Sequence, residues 1–532
     1  MGTIYIIVLA VYLVLLLVLG TIGYLKSKGN EEDFYLAGRG QGLIVTVFTI
    51  MATMFSSAAI LGIPGNVYTH GAAFLLFALN LPVAGAAIYI FGSRFMRIGR
   101  KRGYVTPGDM IAGYYGGSPV LRVLVALTAA LYVLPYVIMQ IKAGGILAQQ
   151  MFPSEEVVEA GKVTAAYGWG MFALSVVTVF YVLVGGMRSV AWTDVLQGAL
   201  LLFGMVVAGI AMIIAMGGVG GYFERLREIP PEALRIPGPV GKWTWSVLLT
   251  VIMYASVSSI IQPSQWMRLY AAKDAKTLKR SAMIFATVLP ICFLFGSMLV
   301  AMGGRVEQPP TMVGGELQAA AAVGKADQIV PFMIGTQLPE VFGGIGVLLV
   351  AIIFVAILAA SMSTADSNLH GFSAVFMRDI YERFFRPNAS EKEKAWGGRL
   401  AIIGMMGLAA FVAYQMETTK GIGDTIAGLM FTAIAFSCQL LPVVIDMLFV
   451  RKGTSHGATA GIGAGILVVF CFTPLNQFFP LLKTQTDTIK TVVDIGFAGF
   501  TINVLVFMIV SALTKPLPSE HVESMKRDME EE

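Results

Sequence analysis

The chain has 532 residues, of which 56% are hydrophobic and only 13% charged, with a formal net charge of +5. A soluble domain carries nearly twice that charged fraction, and no nucleic-acid partner is indicated. Repeated apolar runs of about 20 residues instead describe an all-α polytopic membrane protein. Backbone groups in lipid must be satisfied within the helix, and the ~10-residue alternation of a membrane β-barrel is missing.

The first run, about 4–25, has no basic leader and no small-residue cleavage site. It ends at Lys26 and Lys28 and reads as a retained helix whose N-terminus lies outside. Further spans are expected at roughly 42–65, 72–96, 118–149, 165–186, 190–217, 244–266, 281–302, 341–377, 398–416, 424–450, 456–475 and 492–513, thirteen in all. With that topology the inside segments hold the dense basic clusters, such as Arg94, Arg97, Arg100, Lys101 and Arg102, or Lys273, Lys276, Lys279 and Arg280. The outside loops hold scattered ones, such as Lys162, Arg225, Arg305, Lys325 and Lys420. This is the positive-inside pattern and puts the C-terminus inside. The expected division is 1–41 for an extra N-terminal helix and loop, 42–217 for a first five-helix repeat, 218–243 for an outside loop, 244–450 for a second five-helix repeat, 451–515 for two C-terminal helices and 516–532 for a cytoplasmic tail. The tail is short and charged, and disorder is expected of it. The long outside loop, about 303–340, is expected to hold a short surface helix before Pro339. Cys292, Cys438 and Cys471 all sit within apolar runs, and the four histidines fit no zinc spacing.

Two spans carry breakers and hydroxyls together. The second contains Ser56, Ser57, Gly62, Pro64 and Gly65; the seventh contains Ser256, Ser258, Ser259, Gln262 and Pro263. Each lies first in a group of five. Interrupted helices at matching positions in two halves point to a transporter's midplane site, because an unwound turn frees carbonyls for a cation. The plainer reading is a proline kink with serines bonding back to their own helix. The ninth span carries Ser363, Thr364, Asp366 and Ser367, and polar groups at that depth are costly. Hydroxyl, carboxylate and carbonyl oxygens are what a hard cation takes as ligands.

Three stretches together resemble the sodium:solute symporter family: Gly185-Gly186 through Trp192-Thr193-Asp194 to Gln197, Gln262-Pro263 through Arg268 to Ala272-Lys273, and residues 359–368. The resemblance covers about 3–515 and implies a LeuT-like 5+5 inverted repeat. It also implies a main sodium site on the carbonyls of Ala52, Phe55 and Ala360 and the hydroxyls of Ser363 and Thr364. Residues 360, 363 and 364 share one helix face, and five neutral oxygens suit Na⁺; small residues lining a helix interface are the plainer alternative for Ser363 and Thr364. Some relatives hold a second sodium with an aspartate equivalent to Asp194 and a hydroxyl near Ser367. Asp194, Asp366 and Ser367 are therefore the candidates for a second cation site, Asp366 standing where relatives often have Thr or Ser. The alternative for Asp194 is a pair with Arg188.

The candidate solute pocket comprises Ser56, Ser57, Asn80, Gln140, Tyr254, Ser256, Ser258, Phe431 and Gln439, with Lys142 as the oddity. An ammonium in mid-membrane needs a partner: a solute carboxylate, Asp194 or Asp366, or the outer headgroups by snorkelling. The expectation is a multi-pass protein of the cytoplasmic membrane, not an enzyme. It would carry a small organic solute with Na⁺ by alternating access, with a lean toward monocarboxylates from the look of bacterial monocarboxylate and pantothenate permeases. Proton coupling through Asp366 and Asp194 is the alternative, followed by a transporter-like sensor; amino acids and sugars stay open as solutes. The partners are the solute and the lipid bilayer, with a small accessory membrane subunit left open.

Overall fold

The computed structural model describes residues 2–26, 31–152, 157–158, 163–258, 260–418 and 425–530. Lys28, Lys162, Ser259 and Lys420 lie outside the described residues. Among the described residues, eleven helices are long and apolar enough to cross a membrane, and counting each of two sharply bent pairs as one span brings the number to thirteen. The expected spans therefore reappear, most of them lengthened by a turn or more at an end.

The chain opens with α1 (Gly2–Leu25). The first bent span is α2 (Leu43–Met54) followed by α3 (Ile63–His70). Then come α4 (Asn80–Arg102), the short α5 (Pro107–Tyr114), α6 (Pro119–Met151), α7 (Ala165–Leu183) and α8 (Gly186–Ala215). Gly186 takes φ +55°, and that left-handed turn separates α7 from α8. The second bent span is α9 (Trp245–Ser258) and α10 (Pro263–Ala271). It is followed by α11 (Ala275–Glu307), α12 (Ile329–Val375), α13 (Glu391–Thr418), α14 (Ile426–Val450), α15 (Ser455–Phe472) and α16 (Ile495–Leu513).

Local chemistry explains both bends. The first turns the helix axis by 58°. Phe55 is extended, with φ −90° and ψ 96°, and the Ser56 hydroxyl takes up the backbone N–H of Ala58 at 3.1 Å, offering the chain an alternative to the helical ladder. The second turns by 44°. Pro263 has no N–H and crowds the residue before it, and Gln262 is extended at ψ 135°. Gly62 lets α3 approach α14 closely, since a Cβ there would lie 2.7 Å from the Ala427 nitrogen.

The outside loop between α11 and α12 differs in detail from expectation. It folds a small hairpin, Thr311–Val313 against Glu316–Gln318, turned at Gly314 and Gly315. Its helical limb begins at Ile329 and continues past Pro339 to a break at Gly343. Beyond Gly343, α12 is the central post: nearly every residue from Val350 to Val375 is buried, packed between α6, α7, α8 and α2.

The tail is not disordered, contrary to expectation. Ser519–Glu530 forms a helix, α17, with Met525 and Met529 fully buried. Arg102 pairs with Asp528 at 2.6 Å and Arg451 with Glu530 at 2.5 Å. Composition counted the tail's charges without the partners awaiting them on the basic cytoplasmic face. It also passed over an apolar pair at i, i+4 spacing.

Candidate functional site

Helix α2 ends at Met54 with the Phe55 N–H still donating to the Met51 carbonyl, so the helix leaves carbonyls from Ala52 onward without an intrahelical donor. Ala52 and Phe55 present theirs to α12. Thr364 Oγ1 lies 2.9 Å from the Ala52 oxygen and 3.5 Å from that of Phe55. Ser363 Oγ lies 3.2 Å from the Ala52 oxygen and 3.1 Å from that of Ala360. All five residues are buried. The oxygens of Ala52, Phe55, Ala360, Ser363 and Thr364 thus form one cluster with no charged side chain among them. The two hydroxyls donate to carbonyls here, but a hydroxyl can rotate and present lone pairs to a cation instead. That donor set fits a small hard monovalent cation.

A charged cluster lies one turn further along α12. Asp194 Oδ2 accepts from Thr49 Oγ1 at 2.5 Å and pairs with Arg268 Nη2 at 3.3 Å. Arg268 also donates through Nε to the Thr49 carbonyl at 3.1 Å and through Nη2 to the Ser367 hydroxyl. Ser367 in turn donates to Asp366 Oδ1 at 2.9 Å, and Tyr181 donates to Asp366 Oδ2. Asp194, Asp366 and Ser367 are therefore brought together around one guanidinium. Arg188 pairs with Asp33 at 2.6 Å rather than with Asp194. In the sequence Arg268 stands out only within a motif; an arginine inside a broken apolar span is the signal that marks it, since such a guanidinium needs acids such as Asp194 and Asp366.

A cavity beside the first bend is lined by Phe55, Ser56, Asn80, Tyr136, Gln262 and Phe293, among others, with no charged side chain. Of the candidate solute residues, Ser56 and Asn80 line it. Ser57 and Gln140 sit behind the break, the Ser57 N–H and hydroxyl both donating to Gln140 Oε1 at 3.1 and 2.7 Å. Tyr136 and Gln262 were missed, although Tyr136 stands one turn before Gln140 and Gln262 directly precedes the second break. The hydroxyls of Ser256 and Ser258 bond back to the carbonyls of Ile252 and Tyr254 in their own helix. Tyr254 packs against Gly496 of α16. Gln439 is tied to Asn503, whose amide reaches the Gln439 carbonyl at 2.7 Å. These four residues stand apart from the cavity. Phe431 belongs to an aromatic cluster with Phe74, Phe77 and Trp243. That cluster lies between the cavity, which Phe77 lines, and an outer cleft lined by Asn66, Lys242, Trp243, Thr425, Phe431 and Asp494.

Lys142 has a buried acidic partner other than Asp194 or Asp366. Its Nζ lies 2.9 Å from Glu417 of α13, and Lys325 of the outside loop reaches the other carboxylate oxygen at 2.6 Å. Glu417 went unnoticed because it stands at the polar end of its span.

Residues 34–465 match the sodium:solute symporter family. The high-affinity proline transporter PutP of Bacillus subtilis (strain 168) is 26% identical, covering 97% of this chain and 99% of that protein. The sodium/proline symporter of Escherichia coli (strain K12) is 27% identical over 86% of each chain. The sodium/pantothenate symporter of Haemophilus influenzae is 25% identical, covering 90% and 92%. Among solved structures, a Na⁺-coupled sialic acid symporter, in a substrate-bound outward-open state described as revealing a novel Na⁺ site, superposes with a TM-score of 0.73. It is 20% identical, over 96% of this chain and 98% of that one. MhsT in complex with L-phenylalanine superposes with a TM-score of 0.54.

Proposed function

Because the chain belongs to the sodium:solute symporter family, we propose that it carries a small carboxylate-bearing solute inward with Na⁺ bound at Ala52, Phe55, Ala360, Ser363 and Thr364. It is a multi-pass membrane transporter, not an enzyme. The observation that carries the site is the convergence of five uncharged oxygens across the break between α2 and α3. A cation there bonds the broken span to α12 and replaces two weak hydroxyl–carbonyl contacts with ion–oxygen ones. Sodium binding from outside favours the outward-open arrangement, and solute then binds in the cavity beside Ser56, Asn80, Tyr136 and Gln262. Rocking of the broken spans against α12 opens the inner side, where low sodium and the negative potential favour release.

The solute assignment rests on the cavity. Its few polar groups are neutral and its walls largely apolar, which suits a compact molecule with one polar end. Proline and pantothenate, the solutes in the relatives' names, each carry one carboxylate, and so do the monocarboxylates. Lys142 is committed to Glu417, so a solute carboxylate would lie against the sodium and the freed N–H groups at the break. A second cation, Na⁺ or H⁺, is proposed at Asp194, Asp366 and Ser367, because two carboxylates there face one guanidinium. The deciding experiment is uptake of labelled monocarboxylates, proline and pantothenate into proteoliposomes under an inward Na⁺ gradient, a K⁺ gradient and a pH gradient. Uptake driven by Na⁺ is expected; uptake driven by pH alone would overturn the sodium site.

A further inference from the structure

The outer loop at Lys325–Gln328 touches two of the elements that line the outer cleft, α3 and the start of α14, and also α6 and α13 behind them. At Gly65 of α3 a Cβ would sit 3.0 Å from the Ala326 carbonyl, so the two backbones are in contact. Asp327 Oδ2 accepts the N–H of Ile426 at 2.9 Å and caps the start of α14. Gln328 reaches Gln149 of α6 at 3.4 Å. Asn66 on α3 and Thr425 and Gly428 on α14 form two walls of the outer cleft. The loop therefore holds both walls against α6 and α13, and its charged tie to those two helices is Lys325 on Glu417.

The charges at that tie are unequal in setting. The Glu417 side chain is 4% exposed and that of Lys142 6%, whereas that of Lys325 is 58% exposed. Lys325 can leave for water at little cost, as exposed ends of ion pairs do. A buried carboxylate left alone would be strongly destabilising. Lys142, on α6, stays beside Glu417 whichever way the loop goes.

We propose that Glu417 is a two-position switch of the outer gate: engaged by Lys325 it shuts the loop over the cleft walls, and Lys142 neutralises it when the loop lifts. Lys142 is thus a positioning residue for the outward-open state rather than a solute ligand. The proposal rests on the alternating-access reading above, but not on the identity of the ion or solute.

The test reads the outer cleft directly, in intact cells, with no solute and in Na⁺-free K⁺ medium. Thr432, which lines the cleft on α14, is changed by Thr432→Cys in a Cys471→Ser chain. Cys292 and Cys438 are buried and can stay. Labelling by a membrane-impermeant maleimide is then timed. Lys325→Ala should speed it about two- to fivefold, the worth of one ion pair with an exposed end. Lys142→Met should slow it, because lifting the loop would strand Glu417. The double variant Lys142→Met/Glu417→Gln, which removes both buried charges, should again label fast. Should Lys142→Met not fold, Lys325→Ala and the double variant decide alone. Unchanged labelling in Lys325→Ala, or acceleration by Lys142→Met alone, would overturn the proposal. Because no ion or solute is involved, a failure here leaves the sodium assignment standing, and the reverse holds too.

Discussion

Ser363 and Thr364 each supply a hydroxyl within 3.2 Å of the same carbonyl, that of Ala52, so each should be felt separately. Ser363→Ala or Thr364→Ala is expected to raise the Na⁺ concentration for half-maximal uptake about tenfold or more, one lost ligand being of the order of one charge-assisted hydrogen bond. Uptake at several Na⁺ concentrations checks this, and an unchanged half-maximal concentration in both variants would sink the assignment. Arg268 offers a stability test. Asp194→Asn leaves a buried guanidinium short of its counter-charge, and Arg268→Met leaves two buried carboxylates facing each other. Either should lower stability by about 3–5 kcal/mol, seen as a fall in the melting temperature of the detergent-purified protein. At this scale hydroxyl positions on one helix face were legible from spacing alone. The partners of Asp194 and Lys142 were not, because they come from α10 and α13, far away in the chain. Spacing says which residues share a face, not which distant face is opposite.

The two bent spans were the most legible elements. Each announces itself by proline and serine inside an apolar run; the first breaks beside Ser56, ahead of Pro64, and the second directly before Pro263. The tail helix was the least legible, since its stability lies in what it docks onto. Half-exposed ion pairs, worth roughly 0.2–1 kcal/mol each, side-chain hydrogen bonds such as Arg102 to Ser524, and the buried Met525 and Met529, worth about 2–5 kcal/mol each on truncation to Ala, hold α17. Asp528→Ala should therefore barely alter proteolysis of the tail. Met525→Asp should expose it to protease in inside-out vesicles. Equal sensitivity in the two variants would mean that charge, not packing, holds the helix.

Among the described residues, counting each bent pair as one span gives thirteen candidate crossings; an odd number puts the two ends of the chain on opposite sides, and the basic clusters assign the sides. That large-scale order was readable because length, hydropathy and charge placement are summed over many residues. The inverted repeat was less direct, resting on two matching interruptions. The coupling has an electrical signature at this scale. One Na⁺ carried with one monoanion moves no net charge. A second cation at Asp194 and Asp366 makes each turnover carry one, worth ~2.3 kcal/mol per 100 mV. With a monoanionic solute, an inside-negative potential imposed with valinomycin should accelerate uptake strongly if both cation sites load. It should leave the rate unchanged if only the first does.

Trp243 sits with its ring centroid 4.4 Å from that of Phe74 and 6.4 Å from that of Phe431, beside Lys242. These rings stand between the outer cleft and the cavity proposed for the solute, so a solute taking that route has to part them. An indole whose neighbours rearrange changes its emission, which makes Trp243 an optical reporter already built into the chain. Of the six tryptophans, replacing the other five with Phe would leave a protein whose own fluorescence reports whether a solute taking the proposed route passes Trp243.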